Sequence, residues 1–209
     1  MEIKQFILGL YENNCYVLRT DKKAKDCIII DTGLEVAELM DFLACENLTP
    51  VAVILTHGHA DHILGVAALR KKYPQIKVYI HKLDAEMLTK AKSNLSFLSG
   101  VIFRTAPADV LIEDGDLLEI AGISLEVFHT PGHTQGGVCL YLKQERIVFT
   151  GDTLFAESVG RTDLGGDMNA LIDGIRNKLL VLPDQTAVLP GHGPATTIGK
   201  ERRHNQYLG

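Results

Sequence analysis

A cluster of metal-ligand side chains within one short segment limits what this chain can fold into. The segment Thr56–His62 reads THGHADH, so three histidines and one aspartate stand within six consecutive residues. It follows the apolar run Val51–Leu55 and precedes helical spacing from Ile63 to Lys72. Imidazole and carboxylate groups are natural ligands of zinc and similar divalent ions. Because a merely solvated loop has no need of this ligand density, the segment predicts a metal site at the end of a buried strand.

Three more ligand-type residues share one local pattern. His133, Asp152 and His192 each follow a glycine that comes just after an apolar, strand-like run. Taken singly, each is an ordinary loop residue, but together they indicate ligands delivered to one edge of a sheet from separate strands. The predicted metal ligands are therefore His57, His59, Asp61, His62, His133, Asp152 and His192.

Composition narrows the class of protein. The chain has 209 residues, of which 46% are hydrophobic and 22% charged, as in a globular domain with one core. A net charge of −5 disfavours nucleic acid as a partner. The four cysteines are far apart and predict reduced, mostly buried thiols. With no secretory signal and no long apolar run, we expect a cytoplasmic protein without membrane contacts that acts on a small molecule, in an oligomeric state that stays open.

The apolar spacing predicts alternating strands and helices. Two sheets packed face to face with helices outside satisfy this order, although periodicity alone also allows another α/β arrangement. His81 and His204 are interpreted as surface residues. The strands are predicted at 15–18, 27–30, 51–55, 77–80, 138–142, 147–149 and 187–189, a hairpin at 117–128, and helices at 35–45, 63–72, 84–92 and 167–179.

At the ligand positions the chain resembles the metallo-β-lactamase superfamily, along almost its whole length. Within that superfamily it looks most like the short glyoxalase II-like branch, the hydroxyacylglutathione hydrolases. The resemblance implies an α/β fold, a four-layer αββα sandwich, as a single domain over residues 1–209. Only 17 residues (209 minus 192) follow His192, so the C-terminal helical region of full-length glyoxalase II is expected to be missing.

The resemblance also implies two divalent metal ions, zinc first, with iron or manganese as alternatives. The first ion is expected on His57, His59 and His133, the second on Asp61, His62 and His192, with Asp152 bridging them. A hydroxide between the ions would attack the substrate carbonyl. Asp61 and Asp152 are the predicted catalytic carboxylates, and Asp152 is best placed to accept a proton from the bridging water.

Residues around the ligands receive supporting roles. Asp31 resembles part of the family's first motif and is expected to orient a ligand histidine. His129, in phase with Ile123, Leu125 and Val127, is expected to face inward near the site. Arg161 belongs to a loop whose basic residue is expected, by resemblance, to meet glutathione, or else forms an ion pair with Asp163. Three basic residues near the C-terminus are further substrate-binding candidates or a solvated helix face: Lys200, Arg202 and Arg203.

Four functions remain open, and a thioester hydrolase acting on S-D-lactoylglutathione or a relative leads. The alternative is a mononuclear non-haem iron persulfide dioxygenase, with iron on His57, His133 and Asp152. A lactonase or phosphodiesterase on the same metals comes third. A non-catalytic binding module is disfavoured, because it needs no open binuclear site. Antibiotic hydrolysis is disfavoured because Asp152 stands where the zinc β-lactamases usually place a cysteine. Oxygen reduction at a diiron site is also disfavoured, because His59 stands where flavodiiron proteins have a glutamate.

Overall fold

Two sheets packed face to face, with helices on both outer faces, make up the computed structural model, which describes residues 1–100 and 102–209. The first sheet has its strands in chain order; β1 to β3 run antiparallel, and β3 to β6 run parallel. Helices α1 (Ala37–Cys45), α2 (Ala60–Ile63) and α3 (Val66–Lys72) lie in its connections. Its strands are β1 (Glu2–Leu8), β2 (Asn13–Arg19), β3 (Asp26–Ile30), β4 (Thr49–Ile54), β5 (Lys77–His81) and β6 (Val110–Ile112).

The second sheet is built from the C-terminal half and has the order β14-β13-β10-β9-β8-β7. Helix α4 (Met168–Gly174) continues through a π-helical turn (Ile175–Leu179), and α5 (Ile198–His204) ends the fold. Its strands and a small separate hairpin, β11 with β12, are β7 (Leu117–Ile120), β8 (Ile123–His129), β9 (Val138–Leu142), β10 (Ile147–Gly151), β11 (Leu154–Phe155), β12 (Ser158–Val159), β13 (Ala187–Pro190) and β14 (Thr196–Thr197).

Side-chain alternation along the strands creates the layers. In β2, Tyr16 and Leu18 pack between the two sheets, whereas Cys15 and Val17 pack toward the helices. Phe149 of β10 joins the core between the sheets. A third core forms where the second sheet meets α4 and α5. Because strands buried on both faces carry continuous apolar runs, the sequence shows little strand alternation here. The four-layer αββα prediction is confirmed.

Several local predictions are confirmed. Strands β7 and β8 form the expected antiparallel hairpin. The Asp167 carboxylate caps α4, because its Oδ1 accepts the N–H groups of Asn169 (2.8 Å) and Ala170 (3.1 Å). The four cysteines are free, and Cys45 is the exposed one. None of the described helices is both long and apolar enough to span a bilayer.

Other predictions are wrong. The helix expected over 63–72 is two pieces, α2 and α3, and the one expected over 84–92 is a short 3₁₀ turn, Ala85–Leu88. The expectation that His81 lies on the surface also fails. Its side chain is buried at the end of β5, where its ring stacks on His129 with centroids 4.0 Å apart. The stacking partner comes from the other sheet, so spacing along one strand gave no indication of it.

Several strand ends meet at one edge of the sandwich. β4 ends just before the THGHADH segment, and the N–H of Val138, at the start of β9, donates to the Thr56 carbonyl (2.8 Å). β10 and β13 run parallel, so their carboxyl ends carry Asp152 and His192 to the same edge. The Gly191 N–H donates to the Gly151 carbonyl (2.8 Å), which joins these two ends directly. Backbone hydrogen bonds therefore assemble the loops that carry the predicted ligands.

Candidate metal centre

The seven predicted ligands converge into overlapping groups. Within each group the ligand atoms lie within 4.8 Å of one another. The groups match the two expected metal sets and place Asp152 with a member of each: His57, His59 and His133; Asp61, His62 and His192; and His57, His62 and Asp152. The predicted ligand residues are thus brought together by the fold, although up to 135 residues (192 minus 57) separate them in the chain.

A relay of hydrogen bonds fixes which nitrogen His57 presents. The Thr56 hydroxyl donates to Asp31 Oδ2 (2.7 Å), so its oxygen is left to accept from His57 Nδ1 (3.1 Å). The opposite nitrogen, His57 Nε2, is buried and has no hydrogen-bond partner among the residues that the structure describes. A buried polar atom without a partner costs free energy, and a bare imidazole nitrogen is the form that binds a metal.

His59 and His133 complete the first group. His133 Nδ1 donates to the carbonyl of Arg161 (2.7 Å), so its Nε2 carries the lone pair, and this nitrogen lies 2.8 Å from His59 Nδ1. Burial, followed by the neighbouring His133, lowers the pKa of His59 to about 4. These two ring nitrogens converge with that of His57, as the ligands of one ion do.

The second group is oriented in the same manner. His62 Nδ1 donates to Asp31 Oδ2 (2.9 Å), the contact that the orienting role predicted for Asp31 requires. His192 Nδ1 donates to the Tyr11 carbonyl (2.8 Å). Consequently both rings present Nε2 inward, and His192 Nε2 lies 3.2 Å from Asp61 Oδ2.

Asp152 lies between the two groups. Its Oδ1 is 3.4 Å from His62 Nε2, and its Oδ2 is 3.6 Å from both His133 Nε2 and His192 Nε2. One carboxylate therefore contacts a ligand of the first group and ligands of the second. This is the position that a carboxylate bridging two ions requires.

Charge balance at this cluster favours cations. Burial, with His62 and His133 adding to it, lowers the pKa of His57 well below its usual value. For His62, burial acts in the same direction, but Asp152 and Asp61 outweigh it and raise its pKa well above the usual value. In the absence of metal, His62 thus keeps a proton whose positive charge lies beside the Asp152 and Asp61 carboxylates. Divalent ions supply that positive charge while leaving the imidazoles neutral, so the residues present fit two such ions.

The family comparison agrees with this geometry. The family model described as the metallo-beta-lactamase superfamily matches residues 8–192. The chain belongs to the metallo-beta-lactamase superfamily. Two relatives match over 100% of this chain and 98% of their own lengths: the probable metallo-hydrolase YqgX of Bacillus subtilis, 39% identical, and the hydroxyacylglutathione hydrolase GloC of Haemophilus influenzae, 33% identical.

Solved structures of the superfamily show the same fold. The BLEG-1 B3 metallo-beta-lactamase superposes with a TM-score of 0.93 at 43% identity and covers 99% of both chains. TTHA1623 in a di-iron-bound form gives 0.85 at 36% identity, with 98% of this chain and 100% of that chain covered. ETHE1 from Myxococcus xanthus gives 0.80 at 30% identity, with 99% and 84% covered.

Two buried asparagines, which the sequence analysis missed, hold the ligand loops of this superfamily member. Asn14 Nδ2 donates to the carbonyls of Pro190 and Gly193 (both 2.9 Å), on either side of His192. The Asn13 side chain packs against the other ligand loop, with its amide nitrogen 3.0 Å from His62 Nδ1, and this is a packing contact because Nδ1 carries the hydrogen that is donated to Asp31. The pair of asparagines immediately before an apolar run is a signal that could have identified them, because buried amides need partners.

Asp84 was also missed, and it connects two ligand loops. This buried carboxylate accepts the Gly58 N–H at Oδ2 (3.1 Å) and the Gly136 N–H at Oδ1 (2.7 Å). Gly58 lies between His57 and His59, and Gly136 follows His133 in the next loop. One side chain therefore fixes the spacing of the first metal group.

Two cavities adjoin the centre. One, of about 180 Å³, is lined by Arg161 and the ligands Asp61 and Asp152 among others, and the second is about 230 Å³. Arg161 thus reaches the cavity as predicted, but its guanidinium also forms two hydrogen bonds with Asp163, at 2.6 and 2.7 Å. The ion pair with Asp163 is therefore present, and the contact of Arg161 with glutathione stays a prediction.

The remaining basic candidates are not at the site. None of the described residues lining the two cavities belongs to α5. Lys200 pairs with Glu157 (3.0 Å), while Arg202 and Arg203 pair with Asp184. The inner face of α5 carries the buried Ile198 and Glu201, and its basic face is turned to surface carboxylates, so the role of these three residues in substrate binding stays a prediction.

The prediction for His129 is also corrected. The side chain is half-buried, as the strand phase implies, but among the described contacts its ring touches His81 and the Gln135 carbonyl (2.9 Å) rather than a ligand. Strand β8 ends at His129. The alternation that turns its side chains inward therefore stops before the loop that carries His133.

We expect Gly191→Ala to empty the metal centre. A Cβ at Gly191 would overlap Asp152 Oδ1 and come within 2.7 Å of His62 Cε1, so ligands of both groups must shift. Gly193→Ala is the matched control: Gly193 has φ +73° and open space around it, so only backbone strain of roughly 1 kcal/mol is expected. Bound metal per chain after dialysis distinguishes them, and equal metal content in the two variants would contradict the prediction.

Asp84→Asn is expected to weaken metal binding by about tenfold to a hundredfold, as for other groups that orient ligands. The asparagine keeps the shape of the side chain but loses one of the two acceptors. Competition with a chromophoric chelator measures the affinity. Asp109→Asn, which alters an acceptor of the Val78 N–H (2.9 Å), should leave it unchanged. Unchanged affinity in Asp84→Asn would mean that the ligand loops hold their spacing without this carboxylate.

Proposed function

We propose that this chain is a binuclear metal-dependent hydrolase that cleaves a thioester, with a glutathione thioester as the substrate class. The observation that carries the proposal is the position of Asp152, whose two oxygens face ligands of both metal groups. Similarity to a hydroxyacylglutathione hydrolase over the whole chain supports the substrate class.

The chemistry follows from what each part supplies. The two groups of ligands would hold two divalent ions, which would polarise a substrate carbonyl and lower the pKa of water toward neutrality. Asp152 holds the proton that leaves the attacking water, and Asp61, on the cavity wall, keeps His192 in place through their 3.2 Å contact. Among the described residues that line the smaller cavity, the carboxylates are these two ligands. A thiolate leaves without obligatory protonation, so this lining suits a thioester.

A second candidate is the mononuclear non-haem iron persulfide dioxygenase, with iron on His57, His133 and Asp152. The likeness to ETHE1 adds weight to it. Two observations argue against it. The second metal group, which is Asp61, His62 and His192, converges as tightly as the first. A related chain has also been crystallised in a di-iron-bound form. The likeness to a B3 metallo-beta-lactamase brings a β-lactam into the test, together with a lactone and a phosphodiester.

The first test combines metal content with a substrate panel. Native mass spectrometry should find about two divalent ions per chain, since seven ligand-type residues exceed one tetrahedral site. Asp152→Ala should lose both ions and all thioester hydrolysis, whereas His192→Ala should chiefly empty the second group. The panel compares S-D-lactoylglutathione with a lactone, a phosphodiester and a β-lactam, and follows oxygen uptake with glutathione persulfide. A single ion with oxygen uptake would replace the proposal by the dioxygenase.

Arg161 supplies a test of the thiol half. If its guanidinium holds a glutathione carboxylate, Arg161→Ala should raise KM for a glutathione thioester about tenfold to a hundredfold, with kcat and metal content nearly unchanged. Asp163→Asn is the matched variant, because it releases the guanidinium from its present partner and should lower KM or leave it unchanged. An equal loss in both variants would mean that the Arg161–Asp163 pair only holds the loop.

A further inference from the structure

The smaller cavity joins the metal centre to an apolar wall. Asp61 and Asp152 line it on the metal side, and Tyr11, Leu98 and Leu164 line it on the other side. These apolar side chains come from three separate stretches of the chain, so tertiary structure alone brings them together. A ligand filling this space has one end at the metals and the other against apolar side chains.

The apolar wall is open to solvent. Leu98 is 59% exposed, Tyr11 47% and Leu164 41%. Single exposed apolar residues are ordinary, but several that share one cavity with metal ligands mark a binding surface. Covering them with an apolar ligand removes this surface from water and favours binding.

The charged groups of this cavity do not favour a charged occupant. Asp61 and Asp152 face the metal groups, and the Arg161 guanidinium is bonded to Asp163 at both ends of its fork. An uncharged, apolar group is therefore the better complement to the wall.

The second cavity has a different character. It shares His59, His133 and Leu164 with the first, and its remaining lining combines the apolar Leu83 and Met87 with polar groups that include Glu86 and Gln135. The two cavities thus meet at the first metal group.

We infer that the smaller cavity binds an unbranched apolar acyl chain, so that the preferred acyl group is longer and less polar than lactoyl. Naming this group as the acyl half of a thioester rests on the proposed function. The apolar character of the site rests only on the wall itself. The thiol half then extends past the rim of the smaller cavity, where the exposed Arg161 side chain lies.

A binding series tests the site without turnover. Calorimetry with the zinc-loaded protein measures Kd for acetate, butanoate, hexanoate and octanoate, whose carboxylates bind at the metals. Affinity should rise about fourfold for each methylene that reaches the wall and then level off as the cavity fills. Leu98→Ala, which changes this wall alone, should weaken hexanoate at least about threefold and leave acetate unchanged. Leu83→Ala is the matched control, since Leu83 is 48% exposed and lines only the second cavity.

The outcomes separate the two proposals. Equal affinity along the series, or a loss in Leu83→Ala in place of Leu98→Ala, overturns the apolar site. In parallel, kcat/KM is measured for acetyl, lactoyl and hexanoyl glutathione. Hexanoyl should be preferred, and the preference should fall in Leu98→Ala. If no thioester is hydrolysed while the carboxylate series behaves as expected, the proposed function fails and the apolar site stands. If all three thioesters are hydrolysed at one rate and the carboxylates bind with equal affinity, the apolar site fails and the proposed function stands.

Discussion

The fold depends on balancing charge at one buried edge of the sandwich. Five imidazoles and two carboxylates are held there within a few ångströms, and the pKa values of the rings diverge, with His57 and His59 kept neutral and His62 protonated. Such a cluster is costly in a low-dielectric interior unless positive charge satisfies the carboxylates. Divalent ions would supply this positive charge, and the inward-facing ring nitrogens would be their ligands. The loops around the edge are arranged to keep those nitrogens facing inward.

Hydrogen bonds from behind the ligands provide that arrangement. Asp31 accepts from both Thr56 and His62, although it must adopt a left-handed backbone conformation (φ +54°) to do so. Such strain persists where the surroundings over-determine it, and it is common at functional sites. Asp84 ties the loop of His57 to the loop of His133, and Asn14 ties β2 to the loop of His192. Each ligand loop is therefore fixed by a side chain from another part of the chain.

The same edge determines what substrates reach the metals. His59 and His133 form a wall common to both cavities, so a reacting carbonyl at the first metal group lies between an apolar space and one with a mixed apolar and polar lining. Of the apolar residues that line the smaller cavity, Tyr11 and Leu164 belong to connecting loops, and Leu98 belongs to a short 3₁₀ turn, Ser96–Ser99. Loops are where binding specificity is carried on a fixed scaffold.

The sequence by itself predicted most strands and pointed to the seven ligand-type residues that the fold brings together, because strand-length apolar runs and ligand density are local signals. The layer order came from the family resemblance, since periodicity alone allowed another α/β arrangement. That resemblance also indicated Asp31. Only the tertiary structure decided three further points. These are where Lys200 and its neighbours lie relative to the site, how His81 is buried, and what Asn13, Asn14 and Asp84 contact. Each depends on which residue of a distant element lies opposite, and local spacing carries no information about that. The apolar cavity belongs to the same class: its wall exists only once three separate stretches of chain pack around the metal ligands.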